Sequence, residues 1–172
     1  MNCAPILLDM NTDVRSAEGT EIPQLARIWY DGWQDAHAEI LPDELKQDRT
    51  LESFAERFEH LLPDTRACGP VGAPLGFCIL KDDELYQLYV SSEARGKGVA
   101  AALMRDAEER LAESGVSTAW LACAIGNERA ARFYEKSGWR RIGKMTNHLA
   151  LATGPFELEV WRYEKNIGQA GT

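Results

Sequence analysis

The chain has 172 residues, a length that supports one domain with a sizeable core and leaves no room for a second. Its 45% hydrophobic and 27% charged residues are typical of a globular protein and exclude a disordered, collagen-like or coiled-coil chain. The net charge of −8 argues against binding to nucleic acid or to an anionic membrane. It still allows a local basic site for a phosphorylated ligand, and it favours a cationic partner.

The four cysteines predict neither a metal site nor a disulfide framework. Cys3, Cys68, Cys78 and Cys123 stand far apart, with no C-x-x-C pair and no histidine clustered near them. This pattern indicates a reducing, cytoplasmic location. No stretch reaches the length of a membrane span, and the first apolar run lacks the preceding basic residues of a signal peptide.

Both ends of the chain differ from its middle. Residues 1–10 show no periodicity and are predicted to be a loose leader, and residues 166–172 are small and polar, as expected of a tail. A single domain is therefore predicted over residues 11–165. Its first element is a short strand over residues 13–17.

Two amphipathic helices are expected after this strand. Apolar residues recur at three- and four-residue steps from Ile22, with Thr20 as the expected cap and Pro23 in the first turn. Pro42 interrupts this pattern, and a second helix is expected over residues 50–62.

Short apolar runs separated by Gly, Pro and Asp then predict strands in hairpins. The further predicted elements are strands over 66–68, 75–80 and 85–90, a helix over 100–111, a strand over 118–124, a helix over 128–137, and strands over 139–143 and 156–163. Asn127 is a candidate cap for the second of these helices, and Gly138 would close it. The element order indicates an α/β sandwich with a mixed sheet.

A strand, a short loop and a helix start meet around Gly96 and Gly98. Such a turn points free backbone N–H groups and the positive end of the helix dipole at one place, which suits a phosphate. Arg95 and Lys97 add positive charge there. A plain tight turn is the alternative interpretation.

Two common phosphate-binding motifs do not fit this loop. Gly96, Gly98 and Ala101 satisfy G-x-G-x-x-A, but residues 91–95 separate the first glycine from the strand, so the context is not that of a Rossmann fold. A Walker-type loop needs Ser or Thr after its lysine, where Gly98 stands.

The loop instead resembles that of the GCN5-related N-acetyltransferases. Residues 95–100, RGKGVA, match the R/Q-x-x-G-x-G/A motif of that family. Residues 127–139, NERAARFYEKSGW, resemble its N-x-x-A-x-x-F-Y-x-x-x-G-F stretch, with Trp139 in place of phenylalanine. The segment 33–42 is similar to a helix and loop of many small-molecule members, so the resemblance covers most of the chain.

This resemblance implies a single-domain fold with a mixed, mostly antiparallel sheet, helices on both faces, and two central parallel strands that splay apart. Acetyl-CoA would be the co-substrate and would lie between those strands, paired with the backbone as an added strand would be. The implied cofactor-binding residues are Leu88, Tyr89, Val90, Arg95, Gly96, Lys97, Gly98, Val99, Ala100 and Asn127. For Asn127, a role as the helix cap is equally open.

The resemblance also implies direct attack of an amine on the thioester, without a nucleophilic enzyme residue. Tyr134 matches the family's tyrosine and is expected to protonate the departing thiolate, since a phenol and a thiol have similar pKa values, about 10 and 8.5. Glu84 matches a glutamate that serves as general base, and His37 is the rival base because an imidazole titrates near neutrality. A core role for Tyr134 and a solvated position for Glu84 are the alternatives.

Tyr30, Trp33 and His37 are predicted to line the acceptor pocket, although a tryptophan at helical spacing also fits a core position. The predicted function is an acetyl-CoA-dependent N-acetyltransferase that acts on a primary amine of a small molecule or peptide. A non-catalytic acyl-CoA-binding or regulatory module and a nucleotide binder are the alternatives. We expect no metal, nucleic acid or membrane partner and consider a homodimer possible. The acidic surface is expected to attract a cationic amine.

Overall fold

The computed structural model describes residues 12–168, so the predicted leader, Cys3 and residues 169–172 lie outside the described part. The strands are β1 (Val14–Ser16), β2 (Thr65–Cys68), β3 (Gly76–Lys81), β4 (Glu84–Val90), β5 (Thr118–Ala124), β6 (Arg140–Leu151) and β7 (Gly154–Asn166). The α-helices are α1 (Ile22–His37), α2 (Asp43–Asp48), α3 (Leu51–Leu61), α4 (Val99–Glu113) and α5 (Glu128–Lys136). Short 3₁₀ turns occupy Gly19–Glu21, Leu62–Asp64 and Ser92–Ala94.

The strands form one sheet in the order β1-β2-β3-β4-β5-β7-β6, and β4 and β5 are its parallel pair. These two strands share one ladder pair, Glu84 with Trp120, and separate beyond it. The other neighbours are antiparallel. The predicted mixed, mostly antiparallel sheet with two splayed parallel strands is therefore confirmed.

Helices cover both faces of the sheet, as predicted. On β3, Phe77 and Ile79 face a core formed with α1, α2 and α3, whereas Cys78 faces a core formed with α4 and α5. This alternation follows from the two-residue period of a strand. Trp29 of α1 is central to the first core, with its ring 4.8 Å from that of Phe54. Within residues 12–168, no helix is both long and apolar enough to cross a membrane.

The beginning of α1 differs from the prediction. Thr20 is not the cap but lies in the 3₁₀ turn, and Glu21 holds the cap position without a side-chain cap bond. The reason is that the buried Glu21 carboxylate is engaged elsewhere: it accepts two hydrogen bonds from Arg15, at 2.6 and 2.9 Å, and others from the N–H groups of Glu18 and Gly72. Pro23 lies in the first turn, as expected.

The sequence patterns missed one further element and predicted two strands that are too short. A short helix, α2, follows Pro42 in what was expected to be an interruption. Strands β6 and β7 form a hairpin much longer than predicted, and apolar residues of its outer half, including Leu149 and Leu158, pack on the α1 and α3 side. Side chains of β6 alternate between exposed and half-buried positions. Asn147 obscures this pattern in the sequence, because a polar residue stands at a half-buried position. Asn166, assigned to the tail, ends β7.

Candidate active site

The loop before α4 presents unpaired backbone donors. Gly96 and Gly98 have φ of +74° and +84°, a left-handed conformation that favours glycine. The N–H of Ala102 donates to the Gly98 carbonyl, and the N–H groups of residues 99–101 have no acceptor within residues 12–168. No side chain caps the helix. The start of α4 is therefore suited to bind an anion.

A cavity of about 510 Å³ lies between this loop, β4, α1 and α5. Nine of the predicted cofactor residues line it: Leu88, Tyr89, Val90, Arg95, Gly96, Gly98, Val99, Ala100 and Asn127. A Cβ atom built on Gly96 or Gly98 would meet nothing within 4 Å, so both glycines border open space. Lys97 is exposed and does not line the cavity.

The sequence left two roles open for Asn127, a helix cap and a cofactor contact. The position of its side chain is compatible with both. Its side chain accepts a hydrogen bond from the Ala130 N–H at 3.3 Å and so caps α5. It also lines the cavity beside the loop.

An ion-pair bridge that sequence reasoning missed joins three elements at this cavity. Asp35 of α1 accepts hydrogen bonds from Arg95 of the loop at 2.8 Å and from Arg129 of α5 at 2.7 Å. The two guanidinium groups lower the pKa of the Asp35 carboxyl. These residues are far apart in the chain, so no local pattern predicts their pairing.

A second cavity, of about 310 Å³, adjoins the first. Both are lined by Leu88, Tyr89, Asn127, Ala130 and Tyr134, which therefore mark their junction. Glu84, Trp33 and His37 also line the second cavity. The structure thus brings three predicted site residues to the same cavity as Tyr134.

Tyr30 departs from its predicted place. It lines neither cavity, and its ring packs edge-on against Phe54 at 6.5 Å. Successive side chains of an α-helix point about 100° apart, so a residue next to Trp29 does not share its face. Tyr30 is therefore a packing residue of the α1–α3 interface.

Glu84 is the first residue of β4 and lies at the point where β4 and β5 still pair. Burial raises the pKa of its carboxyl to about 7, although the nearby charge of Lys81 opposes this shift. A carboxylate with a pKa near neutrality is a suitable general base.

His37 is less suited to act as a base. Burial lowers the pKa of its imidazole to about 4, so the ring is neutral at pH 7. The ring lies 5.3 Å from that of Trp33 and packs with it on the cavity wall. A group with so low a pKa holds a proton weakly, which favours Glu84 over His37.

Tyr134 borders both cavities through α5. Its ring is 5.7 Å from Phe133 and 5.9 Å from Tyr163, so it does take part in aromatic packing. Its hydroxyl, however, has no hydrogen-bond partner among residues 12–168, and burial raises its pKa, so the phenol stays protonated. The protonated, unengaged hydroxyl at the junction can donate a hydrogen bond, and its raised pKa makes it a weaker acid than a free phenol.

Cys123 is the cysteine that reaches the second cavity. Burial raises the pKa of its thiol to about 11, which keeps it protonated near neutrality and makes it a poor nucleophile. Cys68 and Cys78 are buried as well.

Known proteins are similar to this chain in sequence and in fold. Residues 22–139 match the model of the Acetyltransferase (GNAT) family. An uncharacterized N-acetyltransferase of Mycobacterium tuberculosis is 36% identical over 119 residues, which cover 64% of this chain and 76% of that protein.

Two solved structures illustrate the likeness in fold. A GCN5-related N-acetyltransferase from Rhodopseudomonas palustris aligns with a TM-score of 0.70 and 21% identity, over 90% of this chain and 94% of that one. The PaiA N-acetyltransferase from Thermoplasma acidophilum, solved in complex with coenzyme A, aligns with a TM-score of 0.61 and 18% identity, over 90% and 98%. The match of the family model over most of the chain, on a sheet that splays beside a glycine-rich helix start, shows that this chain belongs to the GNAT acetyltransferase family.

Proposed function

We propose that this protein transfers the acetyl group of acetyl-CoA to a primary amine of a small molecule or peptide. As a GNAT acetyltransferase it is an acetyl-CoA-dependent acyltransferase. The observation that carries the proposal is the junction of two cavities at Tyr134, one beside the phosphate-binding loop and the other containing Glu84.

The residues of the first cavity fit acetyl-CoA. The free N–H groups of residues 99–101 would bind its phosphates, with Arg95 supplying positive charge. The gap between β4 and β5 leaves backbone groups near residues 88–90 available to an extended arm. Acetyl-CoA supplies an acetyl group already activated as a thioester.

Two side chains then have proton-transfer roles. Glu84 would remove a proton from the acceptor ammonium, because the pKa of its carboxyl, about 7, leaves it largely ionised above neutral pH. Tyr134 would donate its hydroxyl proton to the sulfur that leaves as the C–S bond breaks and the C–N bond forms. Cys123, kept protonated by burial, takes no part as a nucleophile.

Release of free CoA from acetyl-CoA, measured with a panel of amines, tests this function. We expect binding of acetyl-CoA in preference to NAD or ATP, and CoA release that depends on an amine. Tight binding of acetyl-CoA without release by any amine would instead support a non-catalytic acyl-CoA-binding module. Preference for NAD or ATP in a thermal-shift comparison would support a nucleotide binder.

A further inference from the structure

The second cavity contains a buried arginine with unused hydrogen-bond donors. Arg49, at the end of α2, is 6% exposed and lines this cavity. Its NH1 group donates to Asp48 at 2.7 Å, and within residues 12–168 its Nε and NH2 groups have no acceptor. Neither Nε nor NH2 is sealed off from solvent, so both donors are open to the cavity and available to an anionic acceptor there.

A second arginine shares the same carboxylate. Arg57 of α3 lies 3.7 Å from the Asp48 Oδ2 atom that Arg49 also contacts. The other carboxylate oxygen, Oδ1, accepts a hydrogen bond from the N–H of Ala152 in the β6–β7 turn, at 2.8 Å. One carboxylate therefore balances two guanidinium groups, and a net positive charge remains at this end of the cavity.

Basic side chains outnumber acidic ones among the described residues of the cavity wall. Arg49, Arg57 and Lys81 line it, and Glu84 is the acidic side chain among the described lining residues. The cavity is thus locally basic in a chain whose net charge is −8. The negative net charge of the whole chain predicted a cationic acceptor. The wall of this cavity is instead positively charged.

We infer that the acceptor is a small amine that also carries a carboxylate, which Arg49 and Arg57 bind while the amine lies toward Glu84 and Tyr134. The inference rests on the proposed function. Planar guanidinium groups match a carboxylate with paired, charge-assisted hydrogen bonds. The volume of about 310 Å³ suits a small molecule of amino-acid size.

Matched acceptors test the inference. An amino acid, its amide and the corresponding decarboxylated amine present the same amino group with and without the anion. We expect the carboxylated acceptor to be preferred by roughly tenfold to a hundredfold in kcat/KM, the usual range for a hydrogen-bonded charge. An equal or greater kcat/KM for the amide or the amine would overturn the inference and leave the proposed function standing. A phosphonate analogue used more efficiently than the carboxylate would overturn the assignment to a carboxylate.

Variants of the two arginines provide a second test of the inference. Arg57→Gln should raise the KM for the carboxylated acceptor about tenfold and leave the KM for acetyl-CoA and for the decarboxylated amine unchanged. The matched control is Arg66→Gln, since Arg66 is similarly exposed (24% against 26% for Arg57), also pairs with an aspartate and lies outside both cavities. Equal effects of the two variants would refute a role for Arg57 in binding. Arg49→Lys, which keeps the charge but loses the planar fork, should raise the same KM.

A binding measurement separates this inference from the proposed function. An N-acetylated amino acid carries the carboxylate but cannot accept an acetyl group. Calorimetric binding of this compound to the wild type, weakened at least tenfold in Arg57→Gln, would support the anchor even if no amine were acetylated. Absence of binding in an enzyme that acetylates amines would refute the anchor alone.

Discussion

Replacement of Glu84 by glutamine is the sharpest test of the catalytic assignment. Glu84→Gln keeps the shape of the side chain and removes its ability to accept a proton. We expect acetyl transfer by the wild type to exceed that of the variant by a ratio that increases with pH. The reason is that burial raises the pKa of the Glu84 carboxyl to about 7, so its basic form accumulates only near neutrality.

The magnitude follows from this pKa. With a pKa of about 7, the ionised fraction of Glu84 increases about tenfold between pH 6 and pH 8. With the ordinary carboxyl pKa of 4.5, the fraction would be nearly constant over the same interval. The neutral fraction of the acceptor amine also increases with pH, but both enzymes meet the same amine. The ratio of their kcat/KM values therefore isolates the titration of Glu84.

Initial rates of CoA release, measured for both proteins between pH 5.5 and pH 8.5, provide this ratio. A ratio that increases about tenfold between pH 6 and pH 8 and then levels off supports Glu84 as the base. A ratio that is flat over this range, or a variant with wild-type activity, would refute the assignment.

Glu84→Gln should lower activity, but it should increase the stability of the folded protein. The pKa of Glu84 is higher in the folded than in the unfolded chain, so the cost of ionising it is absent below pH 4.5 and complete above pH 7. Raising the pKa from 4.5 to about 7 corresponds to about 3 kcal/mol before screening, and because Glu84 is only half-buried, solvent reduces the cost below this figure. Urea denaturation should find Glu84→Gln more stable than the wild type at pH 8 and equal to it at pH 4. A variant that is less stable at pH 8 would contradict the burial of the charge.

Three further predictions address the other groups. Tyr134→Phe should lower kcat about a hundredfold or more without changing the calorimetric affinity for acetyl-CoA, and an unchanged kcat would remove the hydroxyl from the mechanism. Gly98→Asp should abolish acetyl-CoA binding, because it adds a negative side chain beside the free N–H groups, whereas the control Gly115→Asp, at a similar φ of +90° but outside the cavity, should bind normally. Glu21→Gln should destabilise the protein by about 1.5 to 3 kcal/mol in urea at pH 7, because it removes the charge of a carboxylate that accepts two hydrogen bonds from the part-buried Arg15. The pair lowers the pKa of Glu21 from 4.5 to about 2, so this difference should be complete above pH 4.5 and disappear as the pH falls through 2.

Features that depend on neighbouring residues were predictable before the structure was known. Glycines with positive φ at a helix start, and an asparagine cap followed by an aromatic pair, lie within short segments, so their types and spacing predicted both the loop and α5. The order of the predicted strands and helices indicated the mixed sheet, and the family resemblance implied helices on both faces. The structure then shows Gly96, Gly98, Asn127 and Tyr134 beside one cavity.

Contacts between groups that are distant in the chain depend on how the helices and strands pack. Asp35 pairs with arginines 60 and 94 residues away, and no local pattern encodes such a contact. The preference for Glu84 over His37 as base depends on burial, which changes the pKa of both groups and is set by the packing of α1 and the separation of β4 from β5. The net charge of −8 argued against nucleic acid and anionic membranes as partners, because these are attracted by the charge of the whole molecule. The fold concentrates positive charge within one cavity, because Arg49 from α2 and Arg57 from α3 converge on a single carboxylate.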